Sequence, residues 1–183
     1  MNIVGQIING YLFEEALGSG NFGDVYKVLK DGKKYAAKVL SETYILDEFK
    51  NEQNRITREI DVLKNVKSKN LIQYQEDFYF KNEFGIMEYV IVMEYFEGTT
   101  LKKFLKTESS LEVLLHIFVD ILNGVKDLHN TIIENEGIIH RDLKPDNIMV
   151  DEEMNVKIID YGLSKIIDFS SITSTGTQIG SPL

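Results

Sequence analysis

Hydrophobic and polar positions change period near the middle of the chain. The first half reads mainly as short strands. Residues 11–18 (YLFEEALG) alternate loosely and stop at a glycine. Residues 24–30 (DVYKVLK) follow a period of two, with Val25 and Val28 among the apolar members. Asp31-Gly32-Lys33 then supplies a tight hairpin turn, and 34–40 (KYAAKVL) is the returning strand. The pattern predicts a β-meander. In 55–66 (RITREIDVLKNV), Ile56, Ile60, Leu63 and Val66 recur at helical spacing and mark one apolar face. Residues 71–80 and 89–96, rich in β-branched and aromatic side chains, predict two more strands. Residues 97–100 (EGTT) break the pattern and set a boundary, with one part over 1–97 and another over 98–183.

Helical period dominates 109–129, where Leu111, Leu114, Leu115, Phe118, Ile121, Leu122, Val125 and Leu128 form one stripe. Ser109 and Glu112 fit a capping box at its start. Short strands are predicted around 137–139, 148–150 and 156–159. The polar tail SSITSTGTQIGSPL (170–183) reads as a loop. Strands and helices together predict an α+β fold.

Composition narrows the function classes. The 183 residues are 43% hydrophobic and 27% charged, with only 2 prolines and no repeat. A net charge of -9 argues against a nucleic-acid surface, which needs clustered Lys and Arg. It leaves room for a small anionic ligand held by a few amides and a lysine. The absence of cysteine removes disulfides, a thiolate nucleophile and a Cys-based zinc site. His116, His129 and His140 show no metal-ligand spacing. No apolar run reaches membrane-spanning length, and the start lacks the pattern of a signal peptide. The expectation is a soluble, cytoplasmic protein with no membrane partner.

Several segments carry candidate chemistry. Gly18, Gly20 and Gly23 satisfy G-x-G-x-x-G. A dinucleotide-binding fingerprint requires a helix after the glycines; here a strand and hairpin follow. The glycines therefore sit in a β-turn, either as an ordinary hairpin or as a loop whose amides approach a phosphate chain. Lys38 lies between Ala37 and Val39 in an apolar strand, and a buried ammonium needs a partner. Glu59 is the best-placed carboxylate, although it could equally be a solvated residue pairing with Arg55. In HRDLKPDN (140–147), charged residues stand between two apolar segments, and Asp160 ends another apolar run before Tyr161-Gly162. Asn147 and Asp160 offer hard oxygens suited to Mg²⁺.

The order of these segments resembles a eukaryotic-type protein kinase domain of the Ser/Thr type over roughly residues 11–183. The resemblance implies a two-lobed fold. Its β-rich N-lobe carries one main helix; its partial C-lobe carries the family's helices D and E, catalytic loop, Mg loop and activation segment. It implies ATP and Mg²⁺ as cofactors and a protein with a Ser or Thr hydroxyl as substrate. Leu17, Gly18, Ser19, Gly20, Asn21, Phe22, Gly23 and Asp24 would form the loop over the phosphates. Lys38 would hold the α- and β-phosphates and pair with Glu59. Asp142 would orient the substrate hydroxyl or accept its proton, Lys144 would reach the transferring phosphate, and Asn147 and Asp160 would bind the metal. Val25 and Ala36 would roof the adenine and Met149 would floor it. Met93 would gate a back pocket, with backbone of Glu94 and Phe96 toward the purine. Arg141 would receive a phosphate on Thr177, with Thr173, Ser174 and Thr175 as competing positions, and Ser181 would lie near Asp142 and Lys144.

Some positions depart from the family pattern. Tyr161 replaces the usual Phe of D-F-G, and its hydroxyl needs a partner if buried. The stretch between His129 and His140 is longer than the family norm and predicts a surface loop. The sequence ends at Leu183, before the A-P-E motif. The expectation is a fragment with an exposed apolar patch and little transfer activity alone. The alternative is a non-catalytic, pseudokinase-like ATP-binding or interaction module.

Overall fold

The computed structural model describes residues 3–20, 23–40, 55–107, 110–133, 136–140, 142–161 and 166–167. Six strands build the first sheet: β1 (Ile7–Ile8), β2 (Tyr11–Gly20), β3 (Gly23–Lys30), β4 (Lys33–Leu40), β5 (Tyr74–Lys81) and β6 (Met87–Glu94). Their order is β1-β2-β3-β4-β6-β5, with antiparallel pairing throughout. Asp31 (φ 50°) and Gly32 (φ 74°) close the β3–β4 hairpin, the left-handed pair that a two-residue turn needs to match strand twist.

Period-two patterning gives this sheet two apolar faces. Val90 and Val92 pack on one side with Phe13, Tyr26, Val28, Ala37 and Val39. Tyr89 and Ile91 point the other way, against helix α1 (Arg55–Asn65) through Ile60, Val62 and Leu63. That second core runs on without a break into the C-terminal part, to Ile117, Ile121, Leu128, Ile148, Val150 and Ile158. One apolar core thus fixes the two parts against each other.

The predicted strand 71–80 begins only at Tyr74. Residues 70–72 instead lie along the C-terminal part: Ile158 N–H donates to the Asn70 carbonyl (2.8 Å) and Ile72 N–H to the Ile158 carbonyl (3.0 Å). The predicted strand 89–96 ends at Glu94. Residues 99–100 form β7 (Thr99–Thr100), and Thr100 caps a short helix α2 (Leu101–Phe104).

Helix α3 (Leu111–Asn130) is capped by Ser110, whose hydroxyl accepts from Val113 N–H at 3.3 Å. Ser109 lies outside the described residues. The stripe expected on this helix divides. Ile121 and Leu128 are buried, joined by Ile117, Asp120 and Gly124. Leu111, Leu115, Phe118 and Leu122 are exposed, as is Val119. The expected loop after α3 contains a hairpin, β8 (Ile132–Ile133) with β9 (Glu136–Ile138), which β12 (Ile166–Ile167) extends. Its β-branched isoleucines favour the extended backbone. Strands β10 (Ile148–Val150) and β11 (Val156–Ile158) pair with each other, and β10 also pairs with β7. No helix among the described residues is long and apolar enough to cross a membrane.

Candidate active site

A cleft of about 640 Å³ opens between the first sheet and the β7–β10–β11 sheet. Its upper wall is the β2–β3 hairpin, where Gly18 pairs with Val25, Ser19 with Asp24 and Gly20 with Gly23. Gly23 has φ +141°, and a Cβ there would stand 2.0 Å from the Val39 carbonyl oxygen, so glycine alone fits. Leu17, Gly18, Ser19, Gly23, Val25, Ala36 and Lys38 line this wall. Asp24 does not line it; its carboxylate accepts from the Tyr26 hydroxyl at 3.5 Å. Asn21 and Phe22, and the side chain of Glu59, lie outside the described residues.

Met93 and Glu94, at the end of β6, and Tyr95 and Phe96, in the connection that follows, line the cleft. The Glu94 carboxylate turns to Lys157 Nζ (2.5 Å) and its N–H donates to the Gln73 carbonyl (2.8 Å). Gly98 then lets this segment settle on the floor: a Cβ there would lie 2.6 Å from the Val150 carbonyl oxygen. Met149, on β10, belongs to that floor.

The floor's polar groups come from the loop before β10. Pro145 opens a single 3₁₀ turn, Pro145–Asn147, and drives Lys144 into extended backbone (φ -151°, ψ 160°). The loop closes on its own aspartate. Lys144 Nζ donates to Asp142 Oδ2 at 2.6 Å, Asn147 Nδ2 to the same oxygen at 3.0 Å and to the Asp142 carbonyl at 2.9 Å. Lys144, then Asn147, hold the Asp142 carboxyl below its ordinary value, while Asp142 pushes the Lys144 ammonium up. Ile159 N–H donates to the Asn147 carbonyl at 2.9 Å, which ties this loop to the end of β11. His140 is buried, and burial pushes its imidazole down.

Asp160 follows β11 with φ +57°, a left-handed conformation that aspartate tolerates better than most residues. Its carboxylate meets Lys38 Nζ at 3.1 Å. Lys38, Asp142, Lys144, Asn147 and Asp160 all line the same cleft. The lining also includes Ile72, Tyr95, Gly98, Thr99, Thr100, Lys103 and Ile159, which sequence reasoning did not single out. Tyr95 and Gly98–Thr100 could have been taken from their place beside Glu94 and Phe96, and Ile159 from its place before Asp160. Ile72 had no such signal, because it arrives through the long-range pairing of 70–72 with β11. Arg141, Thr173, Ser174, Thr175, Thr177 and Ser181 lie outside the described residues.

A β-rich sheet carrying one helix, packed against a second part that holds α2, α3 and two small sheets, is consistent with an incomplete protein kinase fold. The chain belongs to the protein kinase domain family, whose description matches residues 11–182. It is 33% identical to the "Probable serine/threonine-protein kinase CPE1738" of Clostridium perfringens, covering 98% of this chain and 25% of that protein. It is 33% identical to the "Probable serine/threonine-protein kinase fhkA" of Dictyostelium discoideum, covering 100% of this chain and 30% of that protein. To the "Serine/threonine-protein kinase cds1" of Schizosaccharomyces pombe it is 33% identical over 91% of this chain and 35% of the relative. The chain thus spans about a quarter to a third of the length of these relatives.

Proposed function

We propose that the cleft binds Mg²⁺–ATP and that the protein transfers a phosphoryl group to serine or threonine hydroxyls of a protein substrate. The convergence of Lys38, Asp142, Lys144, Asn147 and Asp160 beneath the β2–β3 hairpin carries this reading. When bound, Mg²⁺–ATP supplies the γ-phosphoryl group and neutralises part of its charge. The donors fit: Asn147 and Asp160, both lining the cleft, would hold Mg²⁺ through hard oxygens, and the metal would supply charge neutralisation to the phosphates. Asn147 commits its amide nitrogen to Asp142, so its oxygen is the atom that serves a cation.

Lys38 places an ammonium for the α- and β-phosphates, and Val25, Ala36 and Met149 offer apolar surface to a purine. Lys144 and Asn147 both donate to Asp142 Oδ2, which leaves Oδ1 to accept the substrate hydroxyl's hydrogen. A carboxyl held below its ordinary value is a weak base near neutrality. Asp142 therefore orients the hydroxyl and takes its proton late, once transfer has made that proton acidic.

Calorimetric titration with Mg²⁺–ATP tests the binding step. The native chain binds and Lys38→Ala weakens binding about tenfold or more, the loss of one charge-assisted contact. No binding, or equal binding by both, overturns the reading. Transfer from labelled ATP tests the chemistry: Asp142→Asn abolishes it while nucleotide binding persists.

A further inference from the structure

Tyr161 is fully buried, and its hydroxyl donates to the carbonyl of Ile72. The same Ile72 donates its N–H to the Ile158 carbonyl at 3.0 Å. One residue therefore holds both ends of the tetrapeptide Ile158-Ile159-Asp160-Tyr161. Between these anchors, Ile159 N–H is fixed to the Asn147 carbonyl at 2.9 Å. Asp160 is left in a left-handed conformation with φ +57°, its carboxylate in the cleft against Lys38. A non-glycine residue in that region costs free energy and persists where its surroundings over-determine it. The anchors on either side of Asp160 supply that constraint, and among the described residues the hydrogen-bonded one on its C-terminal side is the Tyr161 phenolic O–H.

Ile72 is itself held in place. Leu71 bridges Ile158 in a parallel sense, and Ile158 N–H donates to the Asn70 carbonyl at 2.8 Å. Asn70 Nδ2 reaches the Val156 carbonyl at 3.2 Å. Residues 70–72 thus serve as a fixed rail, and the Tyr161 hydroxyl ties Tyr161, the residue next to Asp160, to it. A ring without the hydroxyl would fill the same apolar site but leave the Ile72 carbonyl without this donor.

We propose that Tyr161 is a positioning residue: its hydroxyl, bonded to the Ile72 carbonyl, holds the Asp160 carboxylate toward the cleft in the orientation that receives a divalent cation. The proposal rests on the reading of the cleft as a metal–nucleotide site. The hydroxyl touches neither metal nor nucleotide. Its effect is confined to the coupling between the two.

The test measures the affinity of a non-hydrolysable ATP analogue with and without Mg²⁺, whose ratio is the metal–nucleotide coupling. Tyr161→Phe is expected to lower this coupling about fivefold, the effect of one buried hydrogen bond on a positioned group, with metal-free analogue affinity unchanged. Replacement of Tyr161 by 4-aminophenylalanine, which keeps an N–H donor at the same place, is expected to restore it. An unchanged coupling in Tyr161→Phe overturns the proposal, as does an equal fall in coupling and metal-free affinity. Failure of Tyr161→Phe to fold, judged by circular dichroism, also overturns it, because the hydroxyl would then serve the whole fold. Asp160→Asn separates the two levels. If it abolishes coupling while Tyr161→Phe does nothing, only the positioning role fails; if Asp160→Asn changes nothing, the metal reading fails with it.

Discussion

Lys38 and Asp160 stand 122 positions apart in the chain and meet at 3.1 Å across the cleft. The ammonium is mostly buried, whereas the carboxylate is 40% exposed, so solvent screens much of their attraction. Lys38→Met should therefore cost no more than about 1 kcal/mol of folding stability. Its effect on ligand binding should be far larger. In thermal melts at the same Mg²⁺–ATP concentration, the midpoint of the native chain should rise clearly more than that of Lys38→Met. A full ligand-induced rise in the variant would show that Lys38 does not hold phosphate.

Asp142 owes its lowered carboxyl value first to Lys144 and then to Asn147. Lys144→Ala should move that value up toward the ordinary carboxylate range, and Asn147→Ala should move it up less. The sign for stability follows from the direction. The unfolded carboxyl binds its proton at a higher pH than the folded one, so the contribution is complete above the ordinary aspartate value of about 3.9. It is lost as pH falls through the lowered folded value. Carboxyl carbon resonances of Asp142 followed through an acid titration measure the shift directly. An unchanged midpoint in Lys144→Ala would refute the assigned cause.

Asp77 gathers three donors from three elements. Lys64 on α1 approaches at 2.8 Å, the Tyr89 hydroxyl on β6 donates at 2.6 Å, and the Tyr74 hydroxyl on β5 donates as well. Burial by itself would raise the Asp77 carboxyl; the hydrogen bonds from Lys64, Tyr74 and Tyr89 outweigh it and hold it down. The Tyr74 hydroxyl is pushed up to about 12 by burial and by Asp77. Asp77→Ala leaves the buried Tyr89 hydroxyl without this acceptor and should cost about 2 kcal/mol. Lys64→Met removes a half-exposed ion pair and a cation–π contact with the Tyr74 ring and should cost about 1 kcal/mol, less than Asp77→Ala. Urea unfolding of both variants checks the order, and a larger loss for Lys64→Met would reverse the argument.

The parts of the site that were legible in the sequence are local. Pro145 sets Lys144, and Asp142, Lys144 and Asn147 close on one another within six residues, so HRDLKPDN carries its own geometry. The β3–β4 hairpin is equally local, because Asp31-Gly32 determines its turn. What was not legible depends on distant pairing. Residues 71–73 have strand-like composition, yet the Asn70 and Ile72 bonds to Ile158 draw 70–72 away from the sheet that Tyr74 joins. The Lys38–Asp160 contact joins strand β4 to the segment that follows β11 and has no signal in spacing. On α3, Asp120 and Gly124 concealed the packed face, since neither reads as apolar core.

Two faces of α3 make opposite demands. Ile121 lies in the core with Leu128 and Ile158, whereas Phe118 is 58% and Leu122 52% exposed. Ile121→Ala removes buried methylene surface and leaves a cavity, at a cost of about 2–4 kcal/mol. Phe118→Gln and Leu122→Gln alter side chains with little burial to lose and should each stay within about 0.5 kcal/mol of the native chain. Glutamine also keeps good helix propensity, so the backbone is not penalised. Together with Leu111, Leu115 and Val119, these two residues make an exposed apolar face, and such faces bind hydrophobic dyes. The Phe118→Gln, Leu122→Gln double variant should therefore bind less anilinonaphthalene sulfonate while its urea midpoint stays near that of the native chain. A destabilisation as large as that of Ile121→Ala would mean that this face is packed rather than open.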